Sequence, residues 1–237
     1  MIDNKKNKEN LVIFMHIPKT AGTSLLKVAQ QQYKQDESRI ILVGRDLNMI
    51  GKEINKSNIK YIQGHYPFGI HQYFTSPAVY ITMIRDPIER VISEFYFIQK
   101  VPQHDLFIYK QIEKKQMSLE DYIDMDNEKF KLRNANMQTR FLSGGNTIDL
   151  EKAKENINKN FAFVGITEMF DESLFLLQKK LGWKNVKYSK VNVNKSRPLK
   201  DQISLEVLQK IKMKNQLDIE LYEWVKGIFN KQLNKFN

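Results

Sequence analysis

The sequence contains no cysteine. That excludes a disulfide framework, a thiolate nucleophile and a cysteine-ligated metal, and it suits a reducing compartment. Long apolar runs are also missing. The run from Leu11 to Met15 falls far short of the roughly 18 residues that a membrane-spanning helix needs, and the opening ten residues, MIDNKKNKEN, are polar. Acidic residues are the scarcer charge: 27 Asp and Glu face 38 Lys and Arg, a formal net charge of +11. Such a balance points to an anionic partner, whether a nucleotide, an acidic glycan, a membrane surface or nucleic acid. Only 6 prolines and 10 glycines punctuate 237 residues, and no internal repeat or low-complexity linker divides them. We therefore expect a single domain over residues 1–237, with residues 1–10 flexible.

What is present is enough apolar material for a sizeable core, 41% of the chain. Leu11–Met15 and Val79–Ile84 read as strands buried on both faces. Shorter strand candidates are Ile40–Val43, Ile59–Gln63 and Phe161–Ile166. Helical patterns cover Leu25–Tyr33, Ile88–Phe97, Leu119–Met125, Asn134–Leu142, Leu150–Ile157 and Glu172–Leu181, with one long helix from about Ser204. Strands alternating with helices predict an α/β fold: a central, mostly parallel sheet flanked by helices in three layers.

Two strand-to-helix turns carry the chemistry. The first, HIPKTAGTS (residues 16–24), joins a lysine, a glycine and three hydroxyls at a helix start. Unpaired N–H groups and the positive end of the helix dipole suit a phosphate there, with Lys19 as a point charge and Thr20, Gly22, Thr23 and Ser24 lining the turn. The plain alternative is N-capping by Thr23 or Ser24. The order is not that of a Walker A loop, because Lys19 precedes Gly22 by three residues. The second turn, RDPIERVIS (residues 85–93), offers the fork of Arg85 and the hydroxyl of Ser93 to a second anion, with Pro87 in the first helical turn. Residues 184–200 add six cations and no acid.

Taken together, HIPKTAGTS and RDPIERVISEFY resemble the two nucleotide signatures of sulfotransferases that use 3′-phosphoadenosine 5′-phosphosulfate (PAPS). The likeness is to the carbohydrate branch typified by heparan sulfate and uronyl 2-O-sulfotransferases. GHYPF (residues 64–68), NMQTRFLSG (136–144), FVGITEMFDESL (163–174) and NVNKSRP (192–198) resemble the same branch, in the same order. The resemblance implies a P-loop-like fold. It assigns Lys19, Thr20, Gly22, Thr23 and Ser24 to the 5′-phosphosulfate, Arg85 and Ser93 to the 3′-phosphate, and Lys195 to a segment closing over the nucleotide. It implies that His65 is the catalytic base, which an unperturbed pKa near 6.5 permits, and that Lys19 assists the leaving nucleotide. That family segment can carry a second histidine two residues earlier, where this chain has Gln63.

The expected reaction is direct in-line transfer from PAPS to a hydroxyl, most naturally of a carbohydrate. No metal is called for, since no ligand-like spacing exists and the transferred group carries less charge than a γ-phosphate. Arg133 and Arg140, on one helical stretch, and His71 are candidate contacts to an acceptor that is acidic or already sulfated. Phe95, Tyr96 and Phe97 read as core, and His104 as part of a polar loop. Nucleic acid is not an expected partner. The expected location is the cytoplasm, or the catalytic domain of a membrane-anchored, Golgi-type parent. Two rivals stand beside this reading: a P-loop phosphotransferase using ATP and Mg²⁺, and a non-enzymatic polyanion-binding protein built on the 184–200 segment.

Overall fold

The computed structural model describes residues 10–184, 186 and 197–236. Among them, strands β1 (Leu11–Met15), β2 (Ser38–Ile41), β3 (Tyr61–Gly64), β4 (Ala78–Ile84) and β5 (Phe161–Ile166) form one sheet in the order β2-β3-β1-β4-β5. Every pairing is parallel. All of β1 is buried, as are Val79 to Ile84 of β4, so helices must cover both faces. The helices are α1 (Gly22–Ala29), α2 (Leu47–Ile54), α3 (Pro87–Lys100), α4 (Leu106–Lys115), α5 (Leu119–Asp124), α6 (Glu128–Asn134), α7 (Met137–Ser143), α8 (Leu150–Asn160), α9 (Phe170–Leu181), α10 (Leu205–Lys214) and α11 (Gln216–Leu233). The expected three-layer α/β architecture is the one observed, with a sheet that is parallel throughout.

Strand order positions the site. The chain leaves β1 toward β2 on one side of the sheet, whereas β3 to β4 and β4 to β5 run the other way. Right-handed crossovers then carry the first connection over one face and the later ones over the other. A crevice opens above the carboxyl end of β1, the place where ligands settle in such sheets. Two threonine hydroxyls brace this end: that of buried Thr82 donates to the Met15 carbonyl at 2.7 Å, and that of half-buried Thr167 to the Ile84 carbonyl at 2.9 Å.

Apolar side chains divide into two clusters. One lies about the sheet; the other joins α3 to α4, α5, α6 and α10 through Val91, Phe95, Ile108, Tyr122, Phe130 and Ile211. Sequence and structure part company where one polar side chain redirects the backbone. The long C-terminal helix is two helices, because buried Asn215 turns its amide onto the carbonyls of Ile211 and Asn134. The stretch expected to be helical from Asn134 is likewise broken, with Asn134 ending α6 and Asn136 at φ 43° ahead of α7. Arg133 and Arg140 therefore sit on different helices. At the sheet edge β2 stops at Ile41, leaving Leu42 and Val43 exposed in a loop.

Candidate active site

The turn after β1 is held by backbone conformation rather than by glycine. Lys19 and Ala21 adopt left-handed φ of 68° and 60°, a conformation that costs a non-glycine residue about 1–3 kcal/mol. Thr20 is fully buried and donates its hydroxyl to the Ile17 carbonyl at 2.8 Å, fastening the turn from within. Ala21, with no side-chain acceptor, is the N-cap of α1. Neither Thr23 nor Ser24 caps the helix, so its leading N–H groups face the crevice. Gly22 has another task. A Cβ there would lie 1.8 Å from His16 Nε2, so the glycine makes room for an imidazole lying across the helix start.

That imidazole meets a second one. His65, following β3, packs its ring 4.2 Å from that of His16, centroid to centroid. Its Nδ1 is 2.7 Å from the His16 carbonyl, which can only accept, so Nδ1 carries the proton and Nε2 of the neutral ring keeps its lone pair. Burial lowers the His65 pKa. His16 falls further, to about 3, through burial and then through the charges of His65 and Lys19. Both rings are neutral at physiological pH.

The Lys19 ammonium lies 3.4 Å from the centre of the Phe97 ring. Burial brings its pKa down to about 8, against the pull of Glu94 in the opposite direction. Glu94 is a buried carboxylate on α3, 3.4 Å from His104 Nε2 and 3.3 Å from Arg133 Nη1. Burial alone would raise it, yet the His104 hydrogen bond and the cations of Arg133 and Arg90 outweigh that and hold it below its ordinary value. Arg133 also pairs with Asp105 at 3.0 Å, and the His104 ring stands edge-on to Phe97.

The second turn closes on the first. Arg85 Nη1 donates to the Lys19 carbonyl at 3.3 Å, while Arg85 Nη2 and Arg197 Nη2 share Glu89 Oε2 at 3.2 and 2.5 Å. Arg85 Nε and Arg197 Nη1 are buried and have no hydrogen-bond partner among the described residues. Buried guanidinium N–H groups without hydrogen-bond partners are costly, and two guanidiniums held on one carboxylate suit an anion. Asp86 caps α3 by accepting from Glu89 N at 2.9 Å, with Pro87 in the first turn as expected.

A sequence profile of galactose-3-O-sulfotransferases matches residues 61–237. The chain belongs to the galactose-3-O-sulfotransferase family. Human heparan-sulfate 6-O-sulfotransferase 3 is 24% identical over 98% of this chain and 60% of its own length. The Drosophila melanogaster heparin sulfate O-sulfotransferase is 20% identical over 95% of this chain and 77% of its own. Heparan sulfate 2-O-sulfotransferase 1 of Xenopus laevis is 21% identical over 73% of this chain. The chain spans about 60% of the length of the human and mouse 6-O-sulfotransferase 3 proteins. Mouse sulfotransferase SULT7A1 complexed with PAP aligns over 77% of this chain and 61% of its own, at 13% identity and a TM-score of 0.42. The carbohydrate branch expected from the motifs is the one found, with 2-O- and 6-O-sulfotransferases alike among the relatives.

In this galactose-3-O-sulfotransferase family member, Lys19, Gly22, His65 and Arg85 gather at the carboxyl end of the sheet. Thr23 is exposed on the first turn of α1, Ser24 is buried there, and Ser93 is half-buried two turns into α3. Lys195 lies outside the described residues. His71 is set apart: its Nδ1 and backbone N lie 2.9 and 3.0 Å from Tyr80 Oη, in the first half of β4. Gln63, in the place of a second histidine, is buried and accepts from Tyr61 Oη at 2.9 Å. His16, from the neighbouring strand, supplies the second imidazole. Phe97 is corrected from core to site wall, and His104 from loop to network. Glu94 had a usable signal, a lone acid within the apolar stretch Ile92 to Phe97; His104, in PQHD, had none.

Proposed function

We propose that this chain is a carbohydrate O-sulfotransferase using PAPS. The carrying observation is one sheet edge that brings together an imidazole with a free ring nitrogen, a desolvated ammonium and an open helix N-terminus. The acceptor hydroxyl oxygen attacks sulfur as its proton passes to His65 Nε2. The bond from sulfur to the bridging oxygen breaks, and its electron pair leaves on the 5′-phosphate of adenosine 3′,5′-bisphosphate (PAP). Lys19 and the leading N–H groups of α1 offset the charge that grows there. Arg85, whose Nε has no hydrogen-bond partner among the described residues, and Ser93 receive the 3′-phosphate; the buried Nη1 of Arg197 suits the same anion. An acidic or sulfated sugar is the acceptor class that fits a chain of net charge +11.

The test is PAP release from PAPS in the presence of heparan-type and galactose-terminated glycans. Acceptor-dependent release is expected, abolished by His65→Ala and by Lys19→Ala. Normal turnover in both variants would overturn the mechanism. Mg²⁺-dependent ATP consumption in place of PAPS use would move the chain to the phosphotransferases.

A further inference from the structure

The last helix carries no motif, yet it reaches the second anion turn by two routes. Asp218 and Tyr222 lie one turn apart, at i and i+4, on the buried side of α11. Asp218 is fully buried: Oδ2 accepts from Gln138 N at 3.1 Å, and Oδ1 from Thr139 N and Oγ1, both at 2.7 Å. That fixes the start of α7 and with it the Gln138 side chain. The Gln138 amide then takes both backbone groups of Arg85, accepting from its N–H at 2.8 Å and donating to its carbonyl at 2.9 Å. Tyr222 Oη donates to Glu168 Oε2 at 3.1 Å, and Glu168 Oε1 accepts from Asp86 N at 3.2 Å and lies 3.7 Å from Arg85 Nε. One arm grips the Arg85 peptide; the other flanks its guanidinium.

We propose that Asp218 and Tyr222, acting through Gln138 and Glu168, are positioning residues that aim Arg85 and so set how strongly the site prefers a nucleotide bearing a 3′-phosphate. The inference rests on the sulfotransferase reading, which assigns that phosphate to Arg85. Glue for the fold alone would not end both arms on the same arginine at the mouth of the crevice. Removing the Tyr222 hydroxyl frees Glu168 to face Arg85 with its whole charge, where it competes with the phosphate. Removing the Gln138 amide lets the Arg85 backbone drift.

The experiment is calorimetric titration of the full chain with PAP and with adenosine 5′-monophosphate, which lacks only the 3′-phosphate. The proteins are the wild type, Tyr222→Phe, Gln138→Met and the double variant, with Asp218→Asn added if it melts cooperatively. Tyr222→Phe loses a single oxygen and keeps the proposal testable should the buried substitutions fail to fold. Each single variant should lose about three- to tenfold in PAP affinity, the range of one lost hydrogen bond, with monophosphate affinity unchanged. The two losses should multiply if the arms are separate. Equal losses for both nucleotides, or none for either, would overturn the proposal. A wild type that does not prefer PAP would overturn the reading beneath it as well.

Discussion

The proposed role of His65 as base rests on its other nitrogen being already committed. The His16 carbonyl fixes the Nδ1–H tautomer, and burial keeps the ring neutral. His65→Ala should lower kcat by about 10²–10⁴-fold, the usual contribution of a general base, while PAP affinity is retained; steady-state rates and titration check this together. The pH profile follows from the same two groups. Protonation of His65 removes the base, so kcat/KM should fall on acidification, with burial displacing its acid limb below the ordinary range of a histidine. Loss of the Lys19 charge should bring a second fall near pH 8. Lys19→Arg, which stays charged, should move that alkaline limb upward even as it lowers the rate. Gly22→Ala drives a methyl into the His16 ring and should destabilise the fold by about 1–3 kcal/mol. Adding His16→Ala should restore stability, read as melting temperature in a double-mutant cycle. Lys19 and Gly22 were legible in the sequence because their chemistry lies within one turn, and His65 because it stands in the GHYPF segment. His104 reaches the site through contacts between distant segments, which no short pattern encodes, whereas Glu94 stood out as an acid among apolar neighbours and Arg197 lay in NVNKSRP beside Lys195.

Among the elements, the strands with continuous apolar runs were readable from burial alone: β1 and β5 match their expected limits and β4 adds only Ala78. Edge strand β2 was displaced because one exposed flank relaxes the demand for apolar residues. Helices α2, α4 and α6, of seven to ten residues, went unread, although the six-residue α5 was expected. Helix breaks failed for a different reason. Asn136 and Asn215 act through side-chain bonds to one another's segments, with Asn136 N donating to Asn215 Oδ1 at 2.9 Å. At this scale Thr82→Val should be instructive. It keeps the shape but strips the buried bond from β4 to the last carbonyl of β1. A loss of about 1–3 kcal/mol in urea unfolding is expected, with no new cavity to blame.

Across the whole molecule, an excess of eleven positive charges acts on any anionic ligand before contact. Raising ionic strength from about 0.05 to 0.3 M shortens the screening length from about 14 Å to 6 Å, so PAP association should slow several-fold while dissociation changes little. Stopped-flow measurement separates the two. The carboxylates at Glu89 and Glu168 already neutralise part of the charge of Arg85 and Arg197, so the attraction guides approach more than it fixes the bound pose.

The place of α11 in the chain has a consequence for synthesis. The ribosome delivers β1, its lysine turn and the Arg85 turn well before Asp218 and Tyr222. A nascent chain can thus build most of its sheet while the arginine at the second turn still lacks both of its supports. On the roles proposed above, the grip on the nucleotide is completed only when α11 has followed both turns out of the ribosome and docked on the sheet.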